Sequence, residues 1–466
     1  MNGDTIAATA TAWGEAGIAI VRVSGPDAVL TARSVLKFGP SGFPPPREMR
    51  LALLTDEDGE PVDQVLAVYF AAPKSYTGED VVEIHSHGGV LVARTCLDML
   101  LKRGARAAEP GEFTRRAFLN GRMDLSQAES VLGVIEAQSS EALRSAARTL
   151  TGGLSRSIEK IRTELLTLQG NMEVGLDFPE GETALIDDDA FERALVSLKD
   201  ELEKLAERCS AGALLREGLS VVIAGRPNVG KSSLLNALLG RDRAIVTDIP
   251  GTTRDVIEET VIVRGIPLRV SDTAGLRELC PCDGTDDAVE AIGIERAKDA
   301  AASADICLWL LDGSRPLSHG DTDYIGSLDP ARTVIVLNKS DLPRAVSDAD
   351  ARAAFSNAGF SIIPLSAKTG EGLDELKEKI VSLALGGAGR GFGLNEGLNV
   401  TARQLDDIRA CICSVEEALG ANRDGMGQDV VAGALGRARL ALEKVLGISC
   451  DDALLDSVFS RFCVGK

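Results

Sequence analysis

One stretch of the sequence has the residue types and spacing of a phosphate-binding loop. Gly225-Arg-Pro-Asn-Val-Gly230-Lys231-Ser232 fits the pattern G-x-x-x-x-G-K-[ST], follows an apolar run and opens a helical one. Glycines let backbone N–H groups curl around phosphate oxygens, and a helix N-terminus adds a favourable dipole. Lys231 would neutralise the β- and γ-phosphates, and Ser232 would bind Mg²⁺. The stretch therefore predicts a nucleoside-triphosphate site.

Three further motifs follow in order, each after a short predicted strand. They are Asp272-Thr273-Ala274-Gly275, Asn338-Lys339-Ser340-Asp341 and Ser366-Ala367-Lys368. The Asp272 carboxylate would hold Mg²⁺ through water, and the backbone after Ser366 would contact the base. Asp341 can accept hydrogen bonds from N1–H and from the exocyclic amine of guanine, a pair of donors that adenine lacks. The set predicts a guanine nucleotide.

The group that orients the attacking water is not fixed by one motif. Ras-like GTPases use a Gln soon after D-x-x-G, whereas this chain continues with Leu276 and Arg277. A leucine cannot orient water, so hydrolysis must recruit another residue. The charged candidates downstream are Arg277, Glu278, Asp283, Asp286, Asp287 and Glu290. Thr253, in the switch-like segment before Asp272, is predicted to bind Mg²⁺ when that loop closes on the γ-phosphate.

The elements that must position these motifs alternate between strand and helix. Residues 218–385 contain β-rich runs followed by helical runs, such as SVVIAG and then SSLLNALLG, which predicts a doubly wound, mostly parallel sheet. Helical periodicity flanks this region on both sides, at about 126–215 and 401–462. The pattern Ser126-Gln-Ala-Glu129 predicts a capping box at the first of these helices.

The organisation along the chain follows from these patterns. Residues 17–23 and 81–84 are predicted strands of a mixed N-terminal region. We predict an α/β P-loop G domain inserted into an α-helical domain, which follows an N-terminal α+β domain. The predicted boundaries are 1–121 for the N-terminal domain, 122–217 and 386–466 for the two helical parts, and 218–385 for the G domain.

Composition limits the classes of partner. The net charge is −20, from 70 acidic and 50 basic residues, so the overall field does not attract nucleic acid. A nucleic-acid partner must be held by a local patch or be presented by another protein. No window approaches the ~18 apolar residues of a membrane span, and no basic leader precedes Arg22. Nine cysteines without zinc-finger spacing then predict reduced thiols in a cytoplasmic protein without a membrane anchor.

Longer stretches resemble the MnmE (TrmE) family of tRNA-modification GTPases. In the predicted G domain they are GRPNVGKSSLLNAL, DIPGTTRD, DTAGLRE and AIGIERA, and upstream they are TGEDVVEIHSHGG and GEFTRRAFLNGRMDLSQAES. With the terminal Phe462-Cys463-Val464-Gly465-Lys466, the resemblance covers essentially the whole chain. The C-terminal motif and the inserted G domain are far more specific than a P-loop, which many GTPases share.

The resemblance implies a specific activity and specific partners. Family members have a folate-binding N-terminal domain through which they form a homodimer. With a flavin-dependent partner, MnmG (GidA), expected here in a heterotetramer, they modify C5 of the wobble uridine, position 34, of certain tRNAs. The one-carbon unit comes from 5-formyl- or methylene-tetrahydrofolate, and the aminomethyl part comes from glycine or ammonium. GTP hydrolysis, with Mg²⁺ and stimulating K⁺, is needed for modification.

The resemblance also implies roles by position. The K⁺ ligands would be Asn228, Thr247, Ile249 and Thr252, and the Mg²⁺ ligands Ser232 and Thr253. The catalytic residues would be Glu290 and Cys463, and the folate contacts Arg22, Glu83, Arg122 and Lys466. The GTP contacts would be Asn228, Val229, Gly230, Lys231, Ser232, Ser233, Thr247, Asp248, Ile249, Pro250, Gly251, Thr252, Thr253, Asp272, Thr273, Ala274, Gly275, Asn338, Lys339, Asp341, Ser366, Ala367 and Lys368.

This chain departs from the family pattern at two places. Arg122 stands where relatives often have Lys, which keeps the charge but not the shape. The segment LCPCDGTDDA between Glu278 and Val289 is longer than in relatives. Asp286 or Asp287 is therefore the alternative to Glu290 for the catalytic role.

Other features have two readings each. His85 with His87 could bind a metal, or could be ordinary packed residues or line the folate pocket. Cys280 with Cys282 and Cys411 with Cys413 could be redox or metal sites, or incidental thiols. The run from Lys102 to Arg122 contains six bases and two acids, and is either a solvated helix face or a site for tRNA phosphate or folate carboxylates. Cys463 on its own would be read as a small buried hydrophobe.

Two other functions compete with tRNA modification. A ribosome-assembly GTPase would share the P-loop and the Leu after DTAG, but such proteins usually append a basic RNA-binding domain. A folate-binding aminomethyltransferase would fit the N-terminal part, but it has no use for the complete set of GTP motifs.

Overall fold

The computed structural model describes most of the chain. The described residues are 3–177, 188–242, 258–272, 304–317, 325–326, 328–345, 355, 359–386 and 394–466. Three sets of predicted site residues lie outside these ranges: Thr247–Thr253, Thr273–Gly275 and Glu290. The first of two compact units consists of Met1–Leu132, Ile158–Glu192 and Cys413–Lys466, and the second of Gly133–Ser157 and Arg193–Ile412.

The first unit contains a seven-stranded sheet with the order β3-β4-β5-β6-β2-β1-β7. Its strands are β1 Ile6–Thr9, β2 Ala16–Ser24, β3 Leu36–Phe38, β4 Met49–Thr55, β5 Pro61–Phe70, β6 Val81–Gly88 and β7 Arg106–Ala107. Neighbouring strands are antiparallel, except that β1 pairs in parallel with β7. Both strands predicted in this region are confirmed. Strand β2 extends beyond both predicted ends, and β6 extends beyond its predicted C-terminal end.

Helices cover one face of this sheet, and the other face presents apolar side chains. Helices α1, Ala28–Val35, and α2, Val90–Lys102, contribute to a core with Val21, Ile84 and Leu54. On the opposite face, Leu51 lies across from Leu66, which pairs with His85. Leu51 is 55% exposed and Leu66 is 40% exposed, which is uncommon for leucines that are neighbours on a sheet.

Helices occupy the segments on both sides of the predicted G domain. They are α3 Glu112–Leu119, α4 Leu125–Glu136, α5 Ser140–Leu150, α6 Gly153–Asp177 and α7 Asp188–Glu217 before it, and α10 Ala402–Arg423, α11 Gln428–Leu446 and α12 Asp452–Phe459 after it. Both predicted helical stretches are confirmed. Ile158, Ile161, Leu165 and Leu168, which are spaced three and four residues apart, are buried along α6. No helix in the described ranges is long and apolar enough to cross a membrane.

The predicted capping box at Ser126 is wrong by two residues. Helix α4 begins at Leu125, and Asp124 caps it: Asp124 Oδ1 accepts from the Gln127 N–H at 2.9 Å, while Gln127 Oε1 accepts from the Asp124 N–H at 3.0 Å. Ser126 donates its hydroxyl to Asp124 Oδ1 at 2.6 Å. Asp-x-x-Gln has the same reciprocal geometry as Ser-x-x-Glu, so overlapping candidates in D-L-S-Q-A-E were not separable by spacing alone.

The second unit contains a six-stranded sheet with the order β13-β12-β11-β8-β10-β9. Its strands are β8 Leu219–Gly225, β9 Glu258–Val263, β10 Ile266–Asp272, β11 Ile306–Asp312, β12 Thr333–Asn338 and β13 Ser361–Pro364. All neighbours are parallel except the hairpin β9–β10, which confirms the predicted, mostly parallel sheet. Helix α8, Lys231–Asp242, follows β8, and helix α9, Leu373–Ala384, follows β13. The carboxyl ends of parallel strands share one edge, where ligands bind in such folds.

Candidate functional site: a nucleotide edge and an N-terminal pocket

The P-loop bends sharply between β8 and α8. Gly225, Asn228 and Gly230 all have left-handed backbone angles, with φ values of 140°, 64° and 101°. A Cβ on Gly230 would collide with the side-chain amide of Asn338, so this position requires glycine. The Lys231 ammonium lies over the loop and donates to the carbonyls of Gly225 and Arg226, each at 2.9 Å.

Asn338 ties the P-loop to the base-recognition loop. Its side chain is buried; Nδ2 donates to the Val229 carbonyl at 2.7 Å and Oδ1 accepts from the Ala367 N–H at 3.0 Å. One donor and the acceptor of this amide therefore form hydrogen bonds with protein backbone. Asn338 holds the two loops at a fixed separation.

Lys339 bridges the P-loop and an acid that sequence reasoning missed. Its ammonium donates to the Asn228 carbonyl at 3.0 Å and to Asp312 Oδ2 at 2.6 Å. Burial alone would raise the pKa of Asp312, but hydrogen bonds from Lys339 and Ser314 outweigh it and hold the pKa below its usual value. Asp312 ends β11 just as Asn338 ends β12. Its position at the end of a predicted strand could have indicated Asp312 from the sequence.

Asp341 is oriented by the adjacent loop. Ser366 donates its hydroxyl to Asp341 Oδ1 at 2.7 Å, and Ser366 Oγ also accepts from the Thr369 N–H at 3.2 Å. The Ser340 N–H donates to the Leu365 carbonyl at 3.1 Å, which joins the ends of β12 and β13. These contacts fix a carboxylate that can accept two parallel N–H donors from one base edge.

Four predicted segments thus meet at one edge of the sheet. The P-loop follows β8, Asp272 ends β10 directly beside β8 in register with Ile223, and the motifs at 338–341 and 366–368 follow β12 and β13. The arrangement can enclose phosphates at the P-loop and a purine at the far loops.

The first unit has a separate pocket of about 500 Å³. It is lined by Arg47, Phe70, Lys74, Ser75, Tyr76, Val81, Glu83 and Arg122. Two of the predicted folate residues, Glu83 and Arg122, are therefore in the lining. Arg122 is held there by donating Nε to the Ser75 carbonyl at 3.1 Å.

Arg22 adjoins this pocket through Glu83. Its Nε donates to Glu83 Oε1 at 2.9 Å. Its guanidinium carbon lies 5.3 Å from the ring centre of Tyr76 and 5.6 Å from that of Phe113, within cation–π range. Arg22 thus has its charge paired and its orientation fixed by two aromatic rings.

The C-terminal motif packs into the same unit. The Gly111 N–H donates to the Cys463 carbonyl at 3.5 Å, and the Phe113 N–H donates to the Lys466 carbonyl at 3.2 Å. Arg22 Nη1 donates to the Gly465 carbonyl at 3.4 Å. The motif therefore lies beside the residue that pairs with Glu83.

The side chains of this motif differ in exposure. Phe462 is buried, 5.7 Å between ring centres from Phe459, whereas the Cys463 side chain is exposed, so reading Cys463 as a buried hydrophobe is wrong. Half-burial, reinforced by the positive charge of Arg22, lowers the pKa of the Lys466 ammonium.

The histidine pair and the Cys411–Cys413 pair, which lie in the described ranges, show no metal-binding arrangement. His87 Nδ1 lies 2.7 Å from Asp63 Oδ1, and His85 Nε2 lies 3.6 Å from Glu83 Oε2. Cys411 is buried while Cys413 is exposed, because residues two apart on a helix point in different directions. Across the described ranges, no group of three or more His, Cys, Asp or Glu side chains could hold a metal ion. The pair Cys280 and Cys282 lies outside those ranges.

The basic run before Arg122 is largely neutralised within its own unit. Arg106 pairs with Asp4 at 2.8 Å and with Glu112 at 2.7 Å, and Arg116 pairs with the same two acids. Arg115 and Lys102 also have acidic partners, Asp456 and Glu57. This network favours a structural role for most of the run over a phosphate site.

Comparison with known proteins agrees with this layout. The family profile "GTP-binding protein TrmE N-terminus" matches residues 5–122, and "MnmE helical domain" matches residues 125–463. Curated proteins named "tRNA modification GTPase MnmE" are similar along their whole length. Those of Heliobacterium modesticaldum and Symbiobacterium thermophilum are 44% and 43% identical, with 100% of both chains covered. That of Thermotoga maritima is 42% identical over 99% of this chain and 100% of its own.

The chain belongs to the MnmE family. The resemblance drawn from its motifs is thereby confirmed, and MnmE-family membership makes it a GTP hydrolase involved in tRNA modification. The MnmE helical-domain match begins before the six-stranded sheet and ends after it.

Proposed function

We propose that this chain hydrolyses GTP to drive modification of C5 of the wobble uridine in tRNA, acting with the flavin-dependent MnmG (GidA) protein. The observation that supports the proposal is full-length similarity to MnmE proteins, combined with the assembly at one sheet edge of the loops that carry the predicted guanine-recognition residues. We also infer that the G domain is inserted in the helical domain, which the extent of the helical-domain match supports. A tRNA substrate places the reaction in the cytoplasm.

Magnesium fits the nucleotide edge. Ser232 is the second residue of α8, directly after the lysine that lies over the P-loop. Mg²⁺ would be held by Ser232 and by Thr253 and would supply positive charge to the phosphates. Glu290 would orient the attacking water, since no Gln follows D-x-x-G.

Potassium is proposed to act where an arginine finger acts in other GTPases. Asn228 lies in the left-handed bend of the P-loop, and its carbonyl accepts from Lys339 at 3.0 Å. Its side-chain oxygen is then the group that would bind K⁺, together with Thr247, Ile249 and Thr252. Charge developing on the transferred phosphoryl group must be stabilised, and a cation placed there would do so.

The K⁺ proposal has a direct test in GTPase rates. KCl should stimulate hydrolysis and NaCl should not, at equal ionic strength so that screening is constant. Asn228→Ala should lose the K⁺ response but keep nucleotide affinity, because Lys231 is retained. Equal rates of the unchanged protein in the two salts would refute the cation mechanism and leave Arg254 or Arg277 as the next candidates.

A reduced folate is proposed for the N-terminal pocket. The volume of about 500 Å³ is typical of small-molecule sites. The Glu83 carboxylate can accept from pterin N–H groups, the Tyr76 ring can stack, and Arg122 can pair with a glutamate carboxylate. Lys466 would complete the set through the C-terminal motif that Arg22 contacts. When bound, the folate would supply the one-carbon unit.

A homodimer is proposed through the uncovered face of the N-terminal sheet. This outer face, defined by Met49, Leu51, Leu53, Leu66 and Ile18, carries exposed apolar side chains on adjacent strands. A second copy would remove them from water, since about 25 cal/mol is gained per Å² of apolar surface buried. Arg22 lies on β2 and pairs with Glu83 on the neighbouring strand β6. Because Ile18 of the outer face is also on β2, the interface would adjoin the folate pocket.

Reconstitution from purified components tests the proposal as a whole. The chain, MnmG, a substrate tRNA, methylene-tetrahydrofolate, an amine donor, GTP and KCl should together yield a C5-substituted uridine. Omitting the folate, replacing GTP with GDP, or omitting MnmG should each prevent it. Product formed without folate would remove the folate assignment alone, and product formed with GDP would remove the coupling to hydrolysis.

A further inference from the structure

The hairpin β9–β10 connects the two predicted magnesium-binding segments. Strand β9 begins five residues after Thr253, and β10 ends on Asp272. Its tip is Arg264-Gly265, whose φ values of 48° and 88° are both left-handed, as a two-residue hairpin turn requires. The tip is thus the end of the hairpin farthest from the predicted magnesium ligands.

A helical residue outside the sheet holds this tip. Ser139 donates its hydroxyl to the Gly265 carbonyl at 2.6 Å and accepts from the Ala142 N–H at 3.1 Å as the N-cap of α5. The side chain of Glu141 packs against the same glycine, since a Cβ on Gly265 would lie 2.6 Å from Glu141 Cγ. One hydroxyl therefore joins the start of a helix to the hairpin.

Two further contacts hold the tip from other directions. Arg264 pairs with Glu378 of α9, at 2.6 Å between Nη2 and Oε1. Ala142, one turn into α5, belongs to the same buried core as Val263 and Ile266. The helical residues and the sheet thus pack as one body around the tip.

The ladder of the hairpin is continuous from the tip to the nucleotide edge. Pairing runs without a bulge from Val263 opposite Ile266 to Glu258 opposite Ser271. At about 3.3 Å per residue, six paired residues span roughly 17–20 Å. A displacement of the tip is carried to the strand ends because the register allows no local slip.

We propose that Ser139 is a positioning residue for GTP hydrolysis. By holding the Gly265 carbonyl, it fixes the hairpin whose strand β10 ends on Asp272. The backbone of this predicted magnesium ligand is thereby kept in the register that hydrolysis requires. The inference rests on the proposed GTPase activity and adds to it a route by which the helical domain and the nucleotide site influence each other.

Four single variants separate this role from helix capping. Ser139→Asp keeps an N-cap acceptor but cannot donate to Gly265, whereas Ser139→Thr keeps both functions. Thr151→Ala is the matched control, because Thr151 donates its hydroxyl to the Ala147 carbonyl at 2.9 Å at the other end of the same helix. Arg264→Ala weakens the tip without touching α5.

The full-length protein is assayed for GTP turnover, GTP affinity and thermal unfolding. Ser139→Asp should lower kcat about three- to tenfold, the effect of losing one hydrogen bond, with KM and melting temperature little changed. Arg264→Ala should lower kcat in the same direction, while Ser139→Thr and Thr151→Ala should match the unchanged protein. If Ser139→Asp folds and has the kcat of the unchanged protein, the positioning role of Ser139 is overturned. If Ser139→Asp does not fold, Arg264→Ala decides, and an unchanged kcat in that variant overturns the role. An unchanged protein without GTP turnover would instead overturn the proposed function.

Discussion

Asn338 and Asp341 stand in one four-residue motif but act differently. The sequence pattern predicted that both contact the nucleotide. In the structure, Asn338 is buried and bonded to the backbone of two loops, whereas Asp341 accepts an orienting hydrogen bond from the Ser366 hydroxyl. The motif therefore combines a residue that joins two loops with a carboxylate predicted to accept from the base.

Asp341→Asn should exchange guanine for xanthine recognition. The amide loses one charge-assisted acceptor for guanine, which costs ~2–4 kcal/mol, but can donate to the O2 of xanthine. Binding constants for GTP and xanthosine triphosphate measure the exchange, and Ser340→Ala in the same loop is the control. Unchanged GTP affinity would contradict the base assignment.

Cys463→Ser should abolish tRNA modification and leave GTP hydrolysis largely intact. The Cys463 side chain is exposed while its carbonyl is bonded to Gly111, so serine should not disturb the motif but is a much poorer nucleophile. The nucleotide loops belong to the other compact unit. The test is to measure the yield of modified uridine and the rate of GTP turnover on the same protein preparation. Persistent modification would assign Cys463 a structural role.

At the scale of elements, the sequence predicted which strands and helices form but not which distant residues meet. Each nucleotide motif follows an apolar run, so its place at a strand end follows from local pattern. Asp312 and Ser139 carry no such motif, and their partners Lys339 and Gly265 lie 27 and 126 residues away. Contacts of this kind depend on sheet order and helix packing, which periodicity does not specify.

Asp124→Ala should loosen the first turn of α4. The side chain accepts from Gln127 and Ser126, and loss of such an N-cap costs ~1 kcal/mol. Amide exchange of residues 126–128 should speed up about fivefold, since ~1.4 kcal/mol is a factor of ten. Asp124→Asn, which can still cap, should exchange at the original rate. Equal exchange in both variants would restore Ser126 as the cap.

The charge of the whole molecule bears on tRNA binding, because the chain is acidic and tRNA is an anion. The basic run that could have offered a phosphate site is paired with acids such as Glu112 and Asp4, and the net charge is −20. The field of this chain therefore disfavours tRNA binding by itself. A partner protein that presents the tRNA agrees with both observations.

Leu66→Glu should convert the proposed homodimer to a monomer. Leu66 and Leu51 are adjacent on the outer face, and a carboxylate buried there without a partner is strongly unfavourable. Analytical ultracentrifugation should show half the mass with unchanged circular dichroism. Leu30→Glu, the same exchange at an exposed leucine of α1, should stay dimeric. A dimeric Leu66→Glu protein would place the interface elsewhere.

We propose that GTP hydrolysis by this chain serves modification of the tRNA wobble uridine. The test is mass spectrometry of tRNA nucleosides from a deletion strain, and from the same strain carrying either the unchanged gene or a gene that encodes Lys231→Ala. We expect the C5-substituted uridine to disappear on deletion, to return with the unchanged gene and to stay absent with Lys231→Ala. A normal nucleoside profile in the deletion strain, with or without an immature ribosomal particle, would contradict it.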